Sequence, residues 1–153
     1  MNRIANIFVF CLLVSCSLEK EKKEEEDFVA KNEVEIKEYI KTHNLTAEKS
    51  STGLYYVITE LGNGEHPTKT SSVTVAYKGY YTDGSVFDKS SDDGITFNLQ
   101  QVIKGWTEGI TYFKEGGSGI LLVPSYLGYG SNNYNGIPGG SVLVFDIKLV
   151  EVK

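Results

Sequence analysis

Beyond residue 16 the sequence contains no cysteine, because Cys11 and Cys16 are the only two. No disulfide can staple the body of the chain, so its stability must come from buried apolar area. Positive charge is scarce as well. Fifteen Lys and Arg against twenty Asp and Glu leave a net charge of −5. With no basic stripe, a phosphate-binding surface and a nucleic-acid partner are excluded. The two histidines, His43 and His66, show no metal-ligand spacing. Asp92-Asp93-Gly94 lacks the remaining positions of a calcium loop and reads as a turn. No GxGxxG or P-loop pattern occurs, so neither a cofactor nor a metal is expected. The chain has no internal repeat, and no apolar run approaches the roughly 20 residues of a membrane span.

What is present begins at the N-terminus. Arg3 and the free amine give a weakly positive start, and Ile4 to Val14 is almost wholly apolar. That stretch is too short for a bilayer and suits the apolar region of an export signal. It ends in Leu13-Val14-Ser15-Cys16, which resembles the bacterial lipobox. The resemblance implies a signal peptide over 1–15, cleavage before Cys16, and acylation of Cys16 by palmitate-type chains. One acyl chain binds a membrane marginally and two or more bind stably; a bacterial lipoprotein carries three. Glu19 to Asp27 is an unbroken charged run, which cannot bury apolar area and makes 16–27 a solvated tether. Extended, Ser17 to Asp27 reaches at most about 35 Å. Ser17 stands where an aspartate would signal inner-membrane retention, so the expected location is the cell envelope, lipid-anchored at the outer membrane. The acidic residues that follow Cys16 leave the periplasmic face and the cell surface both open.

From Phe28 the pattern changes. Phe28, Asn32, Ile36 and Ile40 recur every four residues, with Val29 and Tyr39 beside them. The spacing predicts a short helical lead-in within 28–50, either solvated or docked. The folded domain is expected over 51–153. Leu54 to Leu61 is strand-like and is punctuated by Gly62-Asn63-Gly64. Val73, Val75, Tyr77, Gly79 and Tyr81 alternate with polar or smaller neighbours, the period of a half-buried strand. Asp83-Gly84 is a strong hairpin signal, and the chain returns through Val86-Phe87. Ile95 to Leu99 is a further strand candidate. Trp106, Ile110 and Phe113 lie at helical spacing, stopped by Gly116-Gly117. Ile120 to Val123 reads as a buried strand ended by Pro124, and Phe145, Ile147 and Leu149 face inward from the last strand. Many antiparallel strands and one short helix give an α+β class, a curved sheet closing over the helix.

The spacing of particular blocks is more specific. Val75-Ala76-Tyr77-Lys78-Gly79, Asp83-Gly84 and Val86-Phe87-Asp88-Lys89-Ser90 come first. Val102-Ile103-Lys104-Gly105-Trp106 follows, then Val123-Pro124 with Leu127-Gly128-Tyr129-Gly130, then Ile137-Pro138 with Leu143-Val144-Phe145-Asp146. In this order and register, from about Leu54 to Lys153, they resemble the FKBP-type peptidyl-prolyl cis/trans isomerases. The lipidated form is similar to isomerase lipoproteins that accompany gliding motility.

The resemblance implies an FKBP-like half-barrel and a prolyl pocket. Its walls would be Tyr77, Phe87, Asp88, Phe97, Val102, Ile103, Trp106, Tyr129, Ile137 and Phe145, with Trp106 at the floor. The Ile103 N–H and the Tyr129 hydroxyl would hold substrate carbonyls, and a tyrosine would hold Asp88. Partners would be proline-containing polypeptides and rapamycin-like macrolides. Turnover would assist folding of exported proteins; the alternative is a low-turnover module that grips proline segments as a chaperone or assembly factor. Two departures from the family pattern, Gly128 and the Gly139-Gly140 pair after Pro138, predict a looser loop beside Tyr129 and Ile137.

Overall fold

Apolar residues that alternate along a strand face one side of a sheet, whereas an unbroken apolar run needs cover on both sides. Both patterns occur here, and together they set the layers of the computed structural model. It describes residues 5–153, with side chains at 22 and 23 and from 26 onward. The first four residues of the expected signal peptide and the side chain of Cys16 lie outside what is described. In chain order the elements are α1 (Ala5–Thr42), β1 (Glu48–Lys49), β2 (Tyr55–Glu60) and β3 (Ser72–Tyr80). They continue with β4 (Val86–Lys89), β5 (Ile95–Asn98), α2 (Lys104–Gly109), β6 (Ser118–Val123) and β7 (Leu143–Val152).

The seven strands form one antiparallel sheet, six in the order β1-β2-β6-β7-β3-β4 and β5 paired with β3 off that path. β3 pairs with β7 along its whole length, and its other edge is shared by β5 at Ser72–Val75 and β4 at Lys78–Tyr80. The class is α+β, as expected. The hairpin from β3 to β4 turns at Gly84, with φ of +87°, and the Gly84 N–H donates to the Tyr81 carbonyl at 2.9 Å.

On the inner face the alternating residues Val73, Val75, Phe145, Ile147 and Leu149 pack with Leu99, Ile110 and Phe113. Burying each such side chain is worth about 1.5–3 kcal/mol. α2 crosses this face closely. A Cβ at Gly105 would stand 2.5 Å from a Val123 methyl, and one at Gly109 would stand 2.8 Å from a Leu121 methyl. Glycine one turn apart therefore lets the helix lie against β6. The helical pattern through Phe113 resolves into α2 followed by a 3-10 turn at Ile110–Tyr112, after which Phe113 is extended.

The outer face is also buried. Ile36 and Tyr39 of α1 pack with Tyr55, Leu122, Val142 and Val144. This accounts for the unbroken apolar runs in β6 and β7, whose alternate residues meet α2 on one side and α1 on the other. The lead-in helix is docked, not solvated. Polar contacts reinforce it: Glu33 receives Lys49 Nζ at 2.9 Å and the Tyr55 hydroxyl at 2.8 Å, and the Tyr39 hydroxyl donates to the Tyr80 hydroxyl at 3.4 Å. β1 adds a short pairing at Glu48–Lys49, so ordered contacts begin before Ser51.

The charged run lies within α1, helical where an extended tether was expected. Glu and Lys lose little side-chain freedom in a helix, and a helical Ser17–Asp27 spans about 16 Å, about half the extended reach. No helix among the described residues is long and apolar enough to cross a membrane.

Candidate functional site

At one end of the inner face the core is unfilled, leaving a cavity of about 510 Å³. Its floor is Trp106, 4% exposed, on the first turn of α2. Three aromatic rings meet the indole edge to face: Tyr77 at 5.0 Å between centroids, Phe145 at 5.4 Å and Phe97 at 5.5 Å. Each comes from a different strand, β3, β7 and β5. Phe87 of β4 closes the wall against Phe145 at 5.7 Å and 89°. Such edge-to-face pairs add about 0.5–1.5 kcal/mol beyond burial and fix ring orientation. Among the described residues the buried Trp106 Nε1 meets no acceptor.

The two rings over β3 can close only because residue 79 is glycine. A Cβ there would lie 2.7 Å from Phe87 Cζ and 2.9 Å from Phe145 Cε1.

One charged group reaches the rim. The Tyr77 hydroxyl donates to Asp88 Oδ2 at 2.7 Å, and the Lys89 N–H donates to Asp88 Oδ1 at 2.8 Å. Burial, then the bond to Asp88, pushes the Tyr77 hydroxyl far above the usual tyrosine range. Tyr129 is raised by burial and then by the charges of Asp88 and Tyr134. Both hydroxyls therefore stay protonated through mildly alkaline pH and can donate. Backbone bonds brace Tyr77, whose N–H donates to Ser90 Oγ at 2.9 Å.

Ile103 precedes α2 in an extended conformation, with φ −59° and ψ 150°. Its carbonyl accepts the N–H groups of Trp106 and Thr107, at 2.9 and 3.1 Å. The Thr107 hydroxyl donates to the Leu99 carbonyl at 2.6 Å, which ties the helix start to the end of β5.

Nine of the ten expected pocket residues line the one cavity: Tyr77, Phe87, Asp88, Phe97, Val102, Ile103, Trp106, Tyr129 and Phe145. Ile137 stands apart, in a neighbouring hollow of about 320 Å³ that shares Phe87, Asp88 and Tyr129. Gln101, Tyr134 and Asn135 also line the main cavity and were not anticipated. Tyr134 stacks on Tyr129 at 5.0 Å and 11°. A second tyrosine five residues after Tyr129 was the available signal, but in a loop rich in Tyr, Gly and Asn it does not stand out.

Hydrogen bonds span this loop on both sides of Ile137. Gly139 N–H donates to Asn133 Oδ1 at 2.9 Å, and Gly140 N–H donates to the Gly130 carbonyl at 2.9 Å. Gly140 has φ of +76°, and the Phe28 ring of α1 fills the space where its Cβ would be. These glycines serve close packing and a left-handed turn rather than freedom. Gly128 has negative φ and lies under Leu143, whose methyl would be 3.2 Å from a Cβ.

Comparison with known proteins agrees with this geometry. The family described as FKBP-type peptidyl-prolyl cis-trans isomerase matches residues 63–150. The FKBP-type peptidyl-prolyl cis-trans isomerase FkpA of Buchnera aphidicola (subsp. Schizaphis graminum) is 42% identical over 142 residues, covering 91% of this chain and 55% of that protein. FkpA of Escherichia coli K12 is 45% identical over 130 residues, covering 81% and 47%. The chain thus spans about half the length of these curated relatives. The crystal structure of E. coli FkpA superposes with a TM-score of 0.73 at 38% identity, over 97% of this chain and 70% of that one. A peptidyl-prolyl cis-trans isomerase from Pseudomonas syringae gives 0.69 at 28% identity, over 88% and 95%.

Proposed function

The chain belongs to the FKBP-type peptidyl-prolyl cis-trans isomerases, and from that premise we propose that it rotates Xaa–Pro peptide bonds of exported proteins in the cavity over Trp106. The observation that carries this reading is the convergence of aromatic side chains from four strands, α2 and one loop on one cup with a single carboxylate, Asp88, at its rim.

Rotation about an Xaa–Pro bond faces a barrier of roughly 18–20 kcal/mol, set by amide resonance. At the twisted midpoint the conjugation is lost, so no nucleophile and no proton shuttle is needed. The proline ring sits on Trp106 between Tyr77, Phe97 and Phe145. Excluding water there disfavours the polar planar amide relative to the twisted one. The Tyr129 hydroxyl and the Ile103 N–H take substrate carbonyls, and donors fixed before binding favour the twisted geometry over the planar one. Asp88 holds Tyr77 in place and accepts at the rim. The same cup would take a rapamycin-like macrolide.

The apolar stretch ending at Cys16 supports a location in the cell envelope, with Cys16 lipidated at the outer membrane. From there the isomerase domain would meet proline-containing polypeptides after export. The experiment is proline-limited refolding of a standard substrate together with isomerisation of an Xaa–Pro peptide. Catalysis of both, abolished by a macrolide, is the expected result. Binding of the peptide with no acceleration of either reaction would replace this reading with a proline-segment chaperone.

A further inference from the structure

The pocket loop from Ser125 to Gly140 carries Tyr129, Tyr134, Asn135 and Ile137, and its two ends meet at a neck. One side chain from outside the domain motifs closes that neck. Asn32 of α1, 1% exposed, accepts the Ser125 N–H on Oδ1 at 2.7 Å and donates from Nδ2 to the Gly140 carbonyl at 2.8 Å. The loop completes the circuit itself. Gly130 N–H donates to the Ser125 carbonyl at 2.8 Å, and Gly140 N–H donates to the Gly130 carbonyl at 2.9 Å. Four hydrogen bonds thus form a closed ring through Asn32, Ser125, Gly130 and Gly140. Tyr129 is bonded covalently to one member of it. One turn earlier on α1, the Phe28 ring packs on Gly140.

The amide can satisfy this ring in one orientation only. Its oxygen meets an N–H and its nitrogen meets a carbonyl, and the flipped amide would set like against like. Buried groups left unpaired here have no water to replace the lost partner. The ring therefore demands asparagine, not merely a polar residue of that size.

We propose that Asn32 is a positioning residue for the prolyl site: it sets Tyr129 by closing the hydrogen-bonded neck of the loop, and so makes the docked N-terminal helix a working part of the pocket. This rests on the isomerase reading for its catalytic consequence, but the coupling itself does not.

Two variants separate the parts of the ring. Asn32→Ala removes both bonds. Asn32→Asp keeps an acceptor for Ser125 N–H but cannot donate to Gly140. In each, amide hydrogen exchange at Gly130 and Gly140 should accelerate about ten-fold or more, while Ile147 in β7 keeps its wild-type rate. Catalytically, kcat/KM on an Xaa–Pro peptide should fall about ten-fold. In a Tyr129→Phe background the same Asn32→Asp change should cost less than about two-fold, because the group it positions is gone. An equal loss in both backgrounds would assign Asn32 a purely structural role and overturn the proposal. Wild-type exchange rates at Gly130 and Gly140 in both Asn32 variants would also overturn it. Absence of turnover in the wild type would defeat the isomerase reading alone and leave the exchange measurement to decide this one.

Discussion

Replacing Gly79 with alanine should damage the pocket more than the fold. The new Cβ would lie 2.7 Å from Phe87 Cζ, 2.8 Å from Phe87 Cε2 and 2.9 Å from Phe145 Cε1. Phe145 is 4% exposed and held by the core, whereas Phe87 is half-buried. Phe87 is therefore the ring that gives way. Overpacking of this kind costs about 1–3 kcal/mol, and the loss of glycine's unfolded-state freedom returns about 0.4–1 kcal/mol. The net is about 0.5–2 kcal/mol, or a fall in Tm of roughly 2–6 °C for a chain of this size. Gly84→Ala is the matched control. It meets nothing within 4 Å, but its φ of +87° strains any other residue, at about 1–2 kcal/mol. Trp106, the only tryptophan, reports both unfolding and occupancy of the cavity. Titration with a prolyl peptide or rapamycin should show affinity reduced about ten-fold in Gly79→Ala, some 1.4 kcal/mol, and unchanged in Gly84→Ala. Equal affinity in the two variants, or a ligand that leaves Trp106 emission unchanged while calorimetry shows no binding, would refute the placement of the site.

Asp88→Asn should keep the fold and slow turnover several-fold, whereas Asp88→Leu leaves the Tyr77 hydroxyl unpaired and costs about 1–3 kcal/mol more in stability or activity. The wild-type rate should be nearly flat from about pH 6 to 9, since no proton is exchanged and Tyr77 titrates far above that window; a bell that vanishes in Asp88→Asn would mean acid–base catalysis. For Glu33, burial raises the carboxyl, but bonds from Lys49, Lys37 and Tyr55 outweigh it and hold the pKa at about 2. A lowered folded pKa means the stabilisation is present above the unfolded carboxyl range near 4.5 and is lost as pH falls through about 2. Because its partners Lys37 and Lys49 are exposed, the network contributes below about 1 kcal/mol, so the stability difference between wild type and Glu33→Gln should shrink between pH 5 and pH 2 in urea titrations. Cys16→Ala should leave an unlipidated precursor, and labelling with a palmitate analogue at equal strength in both proteins would exclude Cys16 as the anchor.

Local sequence determined a large share of this protein. Period-two alternation announced β3 and β7, Asp83-Gly84 announced the hairpin, and four motifs in register hold eight of the nine expected residues that share one cavity, the ninth, Phe97, being implied by the family resemblance. Those signals are legible because strand faces and turn conformations are written in neighbouring residues. Tertiary structure alone decided the rest. Tyr134 and Asn135 enter the cavity because the loop's path brings them there, and nothing in its Tyr, Gly and Asn content fixes that path. Val144 and Leu122 are buried because α1 covers the outer face; the unbroken apolar runs of β6 and β7 call for such a cover but do not say which element supplies it. Of the glycine pair at 139–140, Gly139 packs on Ser131 and Gly140 is the seat for Phe28 and Asn32. Asn32 lies 93 residues from Ser125 and 108 from Gly140. A helical stripe shows that position 32 faces something, but only the folded chain brings a donor and an acceptor to its amide, because hydrogen-bond partners so far apart in sequence are chosen by packing.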